Sequence, residues 1–223
     1  MDIYEALYTT RAMRRVRPDP VPMEVQARIL DAAIRAPTGG NAQNWAFLLV
    51  DDKEVLGRIA PLYRDSIDQL WSVIYADRLA AAAADPEAPE SIAMLKVQRS
   101  AQWLADHFDE VPLYLFGFIQ HDPTGGSIFP AVWSAQLAAR AEGVGSSLTV
   151  VLGVFHSDET YDILGVPKDQ GWLMACCVSF GYPTGRWAVA PRRPVHEVAY
   201  RNQWGAPVGF EAHQPLWGPT SGG

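Results

Sequence analysis

Val111–Ile119 is an almost continuous apolar run, and it constrains the fold more than any other segment of the chain. A run of this kind predicts a strand buried inside the protein. Apolar segments at about 45–51, 147–153 and 172–180 predict three further strands. Ala80–Glu90, an alanine tract followed by Asp-Pro and Ala-Pro pairs, predicts a surface excursion. Periodic apolar residues predict helices at about 2–9, 22–35, 53–75, 91–108, 127–142 and 158–164. Four strands and at least six helices indicate an α+β domain.

The composition favours a compact enzyme over a nucleic-acid-binding or membrane protein. The chain has 223 residues, of which 48% are hydrophobic and 19% charged, and this predicts a single domain over residues 1–223. A net charge of −7 argues against nucleic acid as a partner, because phosphate binding favours a basic surface. No apolar run approaches the roughly 20 residues of a membrane helix. The N-terminus lacks a signal-peptide pattern, so a cytoplasmic location is expected.

The two cysteines and the histidines do not suggest a metal site. Cys176 and Cys177 are adjacent in a predicted strand, where they point to opposite faces and cannot easily form a disulfide. We therefore expect both to be buried free thiols. The five histidines are scattered without metal-ligand spacing, so no bound metal is expected.

The strongest functional signal is a pair of segments near the N-terminus. Four arginines stand within Arg11–Arg17, and in an acidic protein such a cluster needs an anion, because like charges at this spacing repel. The loop Ala36–Trp45 is rich in small and amide residues, which allow a ring to approach the backbone and to receive hydrogen bonds. Taken singly, the cluster is typical of a solvated helix end and the loop of a turn. Together they predict a phosphate clamp beside a flat, polar-edged ring, as flavin mononucleotide (FMN) requires.

Five segments, in this order, resemble the nitroreductase family of FMN-dependent NAD(P)H oxidoreductases. The resemblance covers nearly the whole chain and is weakest at about 64–108. Thr10, Ala12 and Asn44 stand where the family usually has Arg, Ser and Pro, and these changes are expected to weaken FMN binding without abolishing the site. The matching segments are Thr10–Val16, Ala36–Phe47, Phe129–Leu137 with Glu142–Ser147, Leu164–Pro167, and Phe180–Pro183 with Pro191–Val198.

The resemblance implies a central, mostly antiparallel sheet flanked by helices, with a variable helical cap at about 64–108. It also implies an intertwined homodimer with FMN at the interface. The tail at about 182–223 carries four Trp or Phe residues that need a surface, either on their own domain or, as the resemblance implies, on the partner subunit.

The resemblance also assigns roles to individual residues. Arg11 and Arg192, with Arg193 as the alternative to Arg192, would bind the FMN phosphate, and Arg14 would serve the N1–C2=O edge or the ribityl chain. Asn41 would contact the polar edge of the ring. Backbone at about 147–151 would pass N5, and the loop would come from the partner subunit. The residues assigned to FMN are Arg11, Ala12, Met13, Arg14, Pro37, Thr38, Gly39, Asn41, Gln43, Ser147, Leu148, Arg192 and Arg193.

The predicted function is ping-pong hydride transfer from NAD(P)H through FMN to a nitroaromatic, quinone or similar acceptor. No catalytic side chain is expected, because the flavin carries the chemistry. A reductive dehalogenase or enoate reductase of the same fold is one alternative, and a flavin-binding protein with little turnover is another. The aromatic residues of the cap are predicted to be core rather than acceptor pocket, at about two to one. They are Tyr63, Trp71, Tyr75, Trp103 and Phe108.

Overall fold

A computed structural model describes residues 1–218 of the chain. The chain divides into two compact units. One unit is the continuous segment Ala12–Gly185, and the other joins Met1–Arg11 to the chain from Arg186 onward. Among the described residues, no helix is both long and apolar enough to cross a bilayer.

The unit Ala12–Gly185 is built on a four-stranded sheet in which all neighbouring strands are antiparallel. The strand order is β1-β2-β4-β3, so β1 and β3 form the two edges. This confirms the prediction of a central, mostly antiparallel sheet. The strands are β1 (Trp45–Val50), β2 (Leu113–Ile119), β3 (Gly145–Thr149) and β4 (Leu173–Gly181).

Helices cover both faces of this sheet, which explains why β2 is apolar at nearly every position. Every residue of β2 is buried. Tyr114, Phe116 and Phe118 belong to one core cluster, and Leu113 and Leu115 belong to the other. Alternate side chains of one strand therefore enter two different cores. The helices of this unit are α2 (Met23–Ala33), α3 (Lys53–Gln69), α4 (Ala76–Ala84), α5 (Pro89–Asp106), α6 (Ile128–Ala141), α7 (Val151–Phe155) and α8 (Ser157–Leu164).

Two segments differ from the sequence-based prediction. The alanine tract predicted to be a surface excursion belongs to helix α4, because alanine has the highest helix propensity and the following Asp85-Pro86 only ends the helix. The strand predicted at about 147–153 stops at Thr149, and Val151–Phe155 forms α7. A short apolar run does not distinguish a strand from a buried helix. Gly153 allows α7 to lie close to β4, since a Cβ there would stand 2.8 Å from the Met174 carbonyl oxygen.

The second unit contains helix α1 (Ile3–Thr9) and the C-terminal segment. Asp2 caps the helix by accepting a hydrogen bond from the Glu5 backbone N–H at 2.7 Å. The Ala190 N–H donates to the Tyr8 carbonyl at 3.0 Å, and the Tyr8 and Trp217 rings lie 5.6 Å apart. Some large apolar side chains of the segment stay uncovered: Trp204 is 91% exposed and Leu216 is 83% exposed.

Candidate functional site

The N-terminal arginine segment runs beside the edge strand β3. Ala12 forms a parallel bridge with Ser146, and the Met13 N–H donates to the Ser146 carbonyl at 2.8 Å. Met13 is buried against Gly145, where a Cβ would stand 2.8 Å from the Met13 Cβ, so only glycine permits this approach. The structure therefore brings three residues assigned to FMN, Ala12, Met13 and Arg14, beside the strand that carries the assigned Ser147 and Leu148.

Three of the four clustered guanidinium groups have partners. Arg11 donates to the Arg186 carbonyl at 2.8 Å. The Arg15 guanidinium lies over the Trp103 ring at 5.5 Å. The Arg17 guanidinium lies 3.4 Å from the Asp19 carboxylate and 5.4 Å from the centre of the Tyr182 ring.

Arg14 is the exception within the described residues. Its guanidinium is partly buried, and no carboxylate pairs with it and no acceptor hydrogen-bonds to it among residues 1–218. Desolvation lowers its pKa, while an electrostatic interaction with Tyr63 opposes that shift. A cation that is withdrawn from water without an anionic partner is costly. Arg14 is therefore suited to receive an anionic or electron-rich group from outside the unit.

Tyr63, in α3, reaches the same place from the core. It is 2% exposed and belongs to the core cluster that packs on this face of the sheet. Burial raises the pKa of Tyr63 far above its ordinary value, so the phenol stays neutral.

Four of the five aromatic residues of the cap belong to the core or pack against it, as predicted, whereas Trp103 does not. Tyr63, Trp71 and Phe108 are buried, and Tyr75 packs against the same core. Trp103 stacks on His107 with 4.2 Å between ring centres. The Trp71 indole N–H is buried without a hydrogen-bond acceptor among the described residues.

The loop before β1 is exposed and holds an unusual backbone. Asn41 and Gln43 have φ values of 55° and 51°, a region that non-glycine residues rarely adopt. The Gln43 N–H donates to the Thr38 hydroxyl at 3.2 Å, and the Gln43 amide donates to the Asn41 side-chain oxygen at 3.1 Å. A Cβ on Gly39 would meet no atom within 4 Å. Strained, open backbone of this kind is concentrated at ligand sites.

One chain does not bring this loop to the arginine segment. The loop enters the edge strand β1, whereas the arginine segment lies along β3 at the opposite edge. Three strand spacings separate those edges, roughly 14 Å across the sheet. We therefore predict that the loop residues form one half-site and that Arg14 with β3 forms another. The loop residues are Pro37, Thr38, Gly39, Asn41 and Gln43.

The predicted phosphate ligands lie in the second unit. Arg192 and Arg193 are exposed and line a cavity of about 710 Å³ together with apolar residues such as Leu7 and Pro194. The Arg192 guanidinium donates to the Pro191 carbonyl at 2.8 Å. The assignment of Arg11 and Arg192 to a phosphate stays a prediction.

Both cysteines are buried free thiols, as predicted. Burial raises the pKa of Cys176 to about 12 and that of Cys177 well above its ordinary value, so neither is a thiolate at neutral pH. Within the part of the chain that the structure describes, no cluster of three or more His, Cys, Asp or Glu residues could hold a metal ion.

Comparison with known proteins gives a consistent result. The family model "Nitroreductase family" matches residues 7–182. Iodotyrosine deiodinase 1 of Sus scrofa is 29% identical over 119 residues, which are 53% of this chain but only 37% of that protein. The 5,6-dimethylbenzimidazole synthase of Rhodobacter capsulatus is 28% identical over 188 residues, 78% of this chain and 81% of that protein. The FMN-dependent nitroreductase NfnB of Mycobacterium smegmatis, solved with NADPH, has a similar fold, with a TM-score of 0.64, 22% identity and coverage of 90% and 97% of the two chains.

Proposed function

Because this chain belongs to the nitroreductase family, we propose that it is an FMN-dependent oxidoreductase that transfers hydride from NAD(P)H to a nitroaromatic, quinone or similar acceptor. One observation supports this above the others. Of the four clustered arginines, Arg14 alone is partly buried without a carboxylate or hydrogen-bond acceptor among the described residues. It stands beside the strand β3, where the family resemblance expects the flavin ring.

The residues around Arg14 fit FMN. Bound FMN would supply the hydride chemistry, accepting and releasing hydride at N5 and carrying extra negative charge near N1–C2=O when reduced. Arg14 would place a cation at that edge, where partial desolvation strengthens its interaction with developing charge. The backbone of β3 would lie beside the ring, with its position fixed by the hydrogen bond from Met13 to Ser146.

A homodimer would complete the site. In one chain the half-sites lie at opposite sheet edges, so the loop of a second copy must supply Thr38, Gly39 and Asn41. Helix α6 leaves Phe129 and Trp133 about two-fifths exposed, at 39% and 40%, and such side chains favour a subunit contact. We propose that the C-terminal tail, with Trp204 at 91% exposure, also packs on the partner subunit.

The nature of the electron donor and acceptor is inferred from relatives. The M. smegmatis nitroreductase was solved with NADPH, which supports a nicotinamide donor. The similarity to iodotyrosine deiodinase favours reductive dehalogenation as a second candidate reaction.

An anaerobic reduction experiment tests the proposed function. Protein reconstituted with FMN is mixed with NADH or NADPH, and absorption of the flavin band is followed. Rapid bleaching, with recovery on adding a nitroaromatic, a quinone or a halotyrosine, would support an enzyme and select its acceptor. Failure to take up FMN would overturn the proposal, and uptake without bleaching would instead indicate a flavin-binding protein with little turnover.

The phosphate prediction has its own test. Arg11→Ala and Arg192→Ala should each weaken FMN binding by about 1.5–3 kcal/mol, because each removes a charge-assisted contact to a dianion. Fluorescence titration measures the effect, and Arg193→Ala distinguishes the two neighbouring arginines. If all three variants bind FMN as tightly as the parent chain, the phosphate is bound elsewhere.

A further inference from the structure

A buried glutamine connects helix α6 to the edge strand β3. Gln136, in α6, donates a hydrogen bond from its side-chain amide to the Ser146 hydroxyl at 3.0 Å. Both residues are buried. Ser146 is also the residue of β3 that forms the bridge to Ala12 and accepts the hydrogen bond from the Met13 N–H at 2.8 Å. The side chain of Ser146 is therefore held by α6, while its backbone holds the segment that leads to Arg14.

Arg14 lies between two backbone anchors. On its N-terminal side, Met13 is bound to the Ser146 carbonyl. On its C-terminal side, the Thr184 N–H donates to the Arg15 carbonyl at 3.1 Å, and the Thr184 hydroxyl donates to the same oxygen at 3.3 Å. Fixing the residue on each side restricts the positions that the Arg14 guanidinium can reach. Ser146 is thus one of the points that determine where this cation stands.

The surroundings of the Gln136–Ser146 pair are apolar. Ala135 and Ala139 of α6 belong to the core cluster on this face of the sheet, and so does Phe180, which lies opposite Ser146 in the β3–β4 pairing. Two apolar side chains of similar shape would fill such a place with little loss of stability, because a buried amide and hydroxyl must both give up water. What the hydrogen bond adds is a fixed geometry between α6 and β3.

We propose that Gln136 is a positioning residue for the flavin site, acting through Ser146 on the segment that carries Arg14 rather than by touching the cofactor. This inference rests on the proposed function. The hydrogen bond from Gln136 keeps β3 at a set distance from α6, and the Ser146 carbonyl transmits that position to Met13. The Arg14 guanidinium and the backbone of β3 are thereby held together at the edge where the flavin would bind.

Gln26 is a matched control in the same core. It is 7% exposed, against 8% for Gln136, and its side-chain amide donates to the Val21 carbonyl at 2.8 Å. Val21 belongs to the same core cluster, but this hydrogen bond stays at the start of α2. Gln136→Leu and Gln26→Leu therefore each remove one buried amide hydrogen bond, and only the first loosens β3.

Three measurements on these variants test the proposal. Gln136→Leu should raise the FMN dissociation constant by about 3- to 10-fold. It should also make the flavin midpoint potential more negative, because a displaced Arg14 would stabilise the reduced flavin less well. In the apoprotein, hydrogen exchange of the Met13 amide should accelerate. Gln26→Leu should change none of these quantities, and its thermal unfolding midpoint shows what loss of a buried amide costs in stability alone.

Removing both partners separates positioning from stability. Gln136→Leu leaves the Ser146 hydroxyl buried without its donor, so adding Ser146→Ala should restore part of the lost thermal stability. The FMN dissociation constant and the midpoint potential should stay altered in this double variant. Recovery of FMN binding together with stability would make Gln136 a structural residue and overturn the positioning role. Ser146→Ala alone breaks the same hydrogen bond by a smaller change, and it should reproduce the weaker FMN binding even if Gln136→Leu does not fold.

The outcomes also separate this inference from the proposed function. If the parent chain does not bind FMN, the proposed function is wrong and the inference is overturned with it. If the parent chain binds FMN but Gln136→Leu and Gln26→Leu bind it alike, with equal potentials and equal exchange at Met13, only the positioning role is overturned.

Discussion

Replacing Arg14 by methionine should stabilise the apoprotein while it weakens cofactor binding. Methionine keeps the length of the side chain but removes a partly buried charge that lacks an anionic partner among the described residues. Removing such a charge should raise the free energy of unfolding of the apoprotein by roughly 0.5–2 kcal/mol, as is common for residues kept for function. The loss of a charge-assisted contact to FMN should cost about 1.5–3 kcal/mol of binding, or roughly a 10- to 150-fold higher dissociation constant.

Urea unfolding of the apoprotein and FMN fluorescence titration measure the two effects separately. Arg28→Met is the matched control, because Arg28 is exposed and makes two hydrogen bonds of 2.8 Å to the Glu142 carboxylate. Its loss should leave FMN binding unchanged and should not stabilise the apoprotein. If Arg14→Met destabilises the apoprotein and leaves FMN affinity intact, then Arg14 is a structural residue and our reasoning about its charge is refuted.

Three further predictions concern the rest of the molecule. A chain ending at Gly185 should lose its dimeric state and its FMN, which light scattering and absorption would detect; a yellow, dimeric product would contradict the proposed role of the tail. Burial opposes the charge on His156, but hydrogen bonds to Asp65 and Glu159 outweigh this effect and raise the pKa of His156. The loss of stability caused by His156→Gln should therefore be largest below the unfolded pKa of 6.5 and should vanish as the pH rises through the folded pKa. Urea unfolding across this pH range measures the effect. Gly153→Ala should destabilise the protein by about 1–3 kcal/mol. Gly57→Ala, in open space within α3, should stabilise it by about 0.5–1 kcal/mol. If the two substitutions shift the thermal unfolding midpoint equally, the close packing of α7 on β4 is contradicted.

The local pattern of apolar residues was sufficient to predict most of the secondary structure. The apolar run Val111–Ile119 predicted strand β2 correctly, because a strand that is covered on both faces is apolar at nearly every position. The same reasoning from apolar residues failed after Thr149, because the segment Val150–Val154 is as compatible with a buried helix as with a strand. It failed again in the alanine tract. The nearby prolines led to the prediction of a surface excursion, although they only end α4 and the alanines themselves favour a helix.

The residues of the candidate site could be proposed from the sequence, but their arrangement in space could not. The cluster of arginines is visible in the sequence, yet which of them lacks a partner depends on groups far away in the chain, such as Trp103 for Arg15 and Arg186 for Arg11. Long-range pairing of this kind is set by the tertiary fold, and no local spacing encodes it.

A mixing experiment tests most directly the central claim that Arg14 of one subunit and the loop of another complete one flavin site. Arg14→Met and Gly39→Trp should each bind FMN weakly, the second because a bulky side chain fills the open space beside the loop. When equal amounts of the two variants are unfolded and refolded together, random pairing should produce hybrid dimers with one intact half-site pair, so that roughly a quarter of all sites regain the affinity of the parent chain. Recovery of that fraction in a fluorescence titration is the predicted result. A mixture that binds FMN no better than either variant alone would contradict a site shared between subunits.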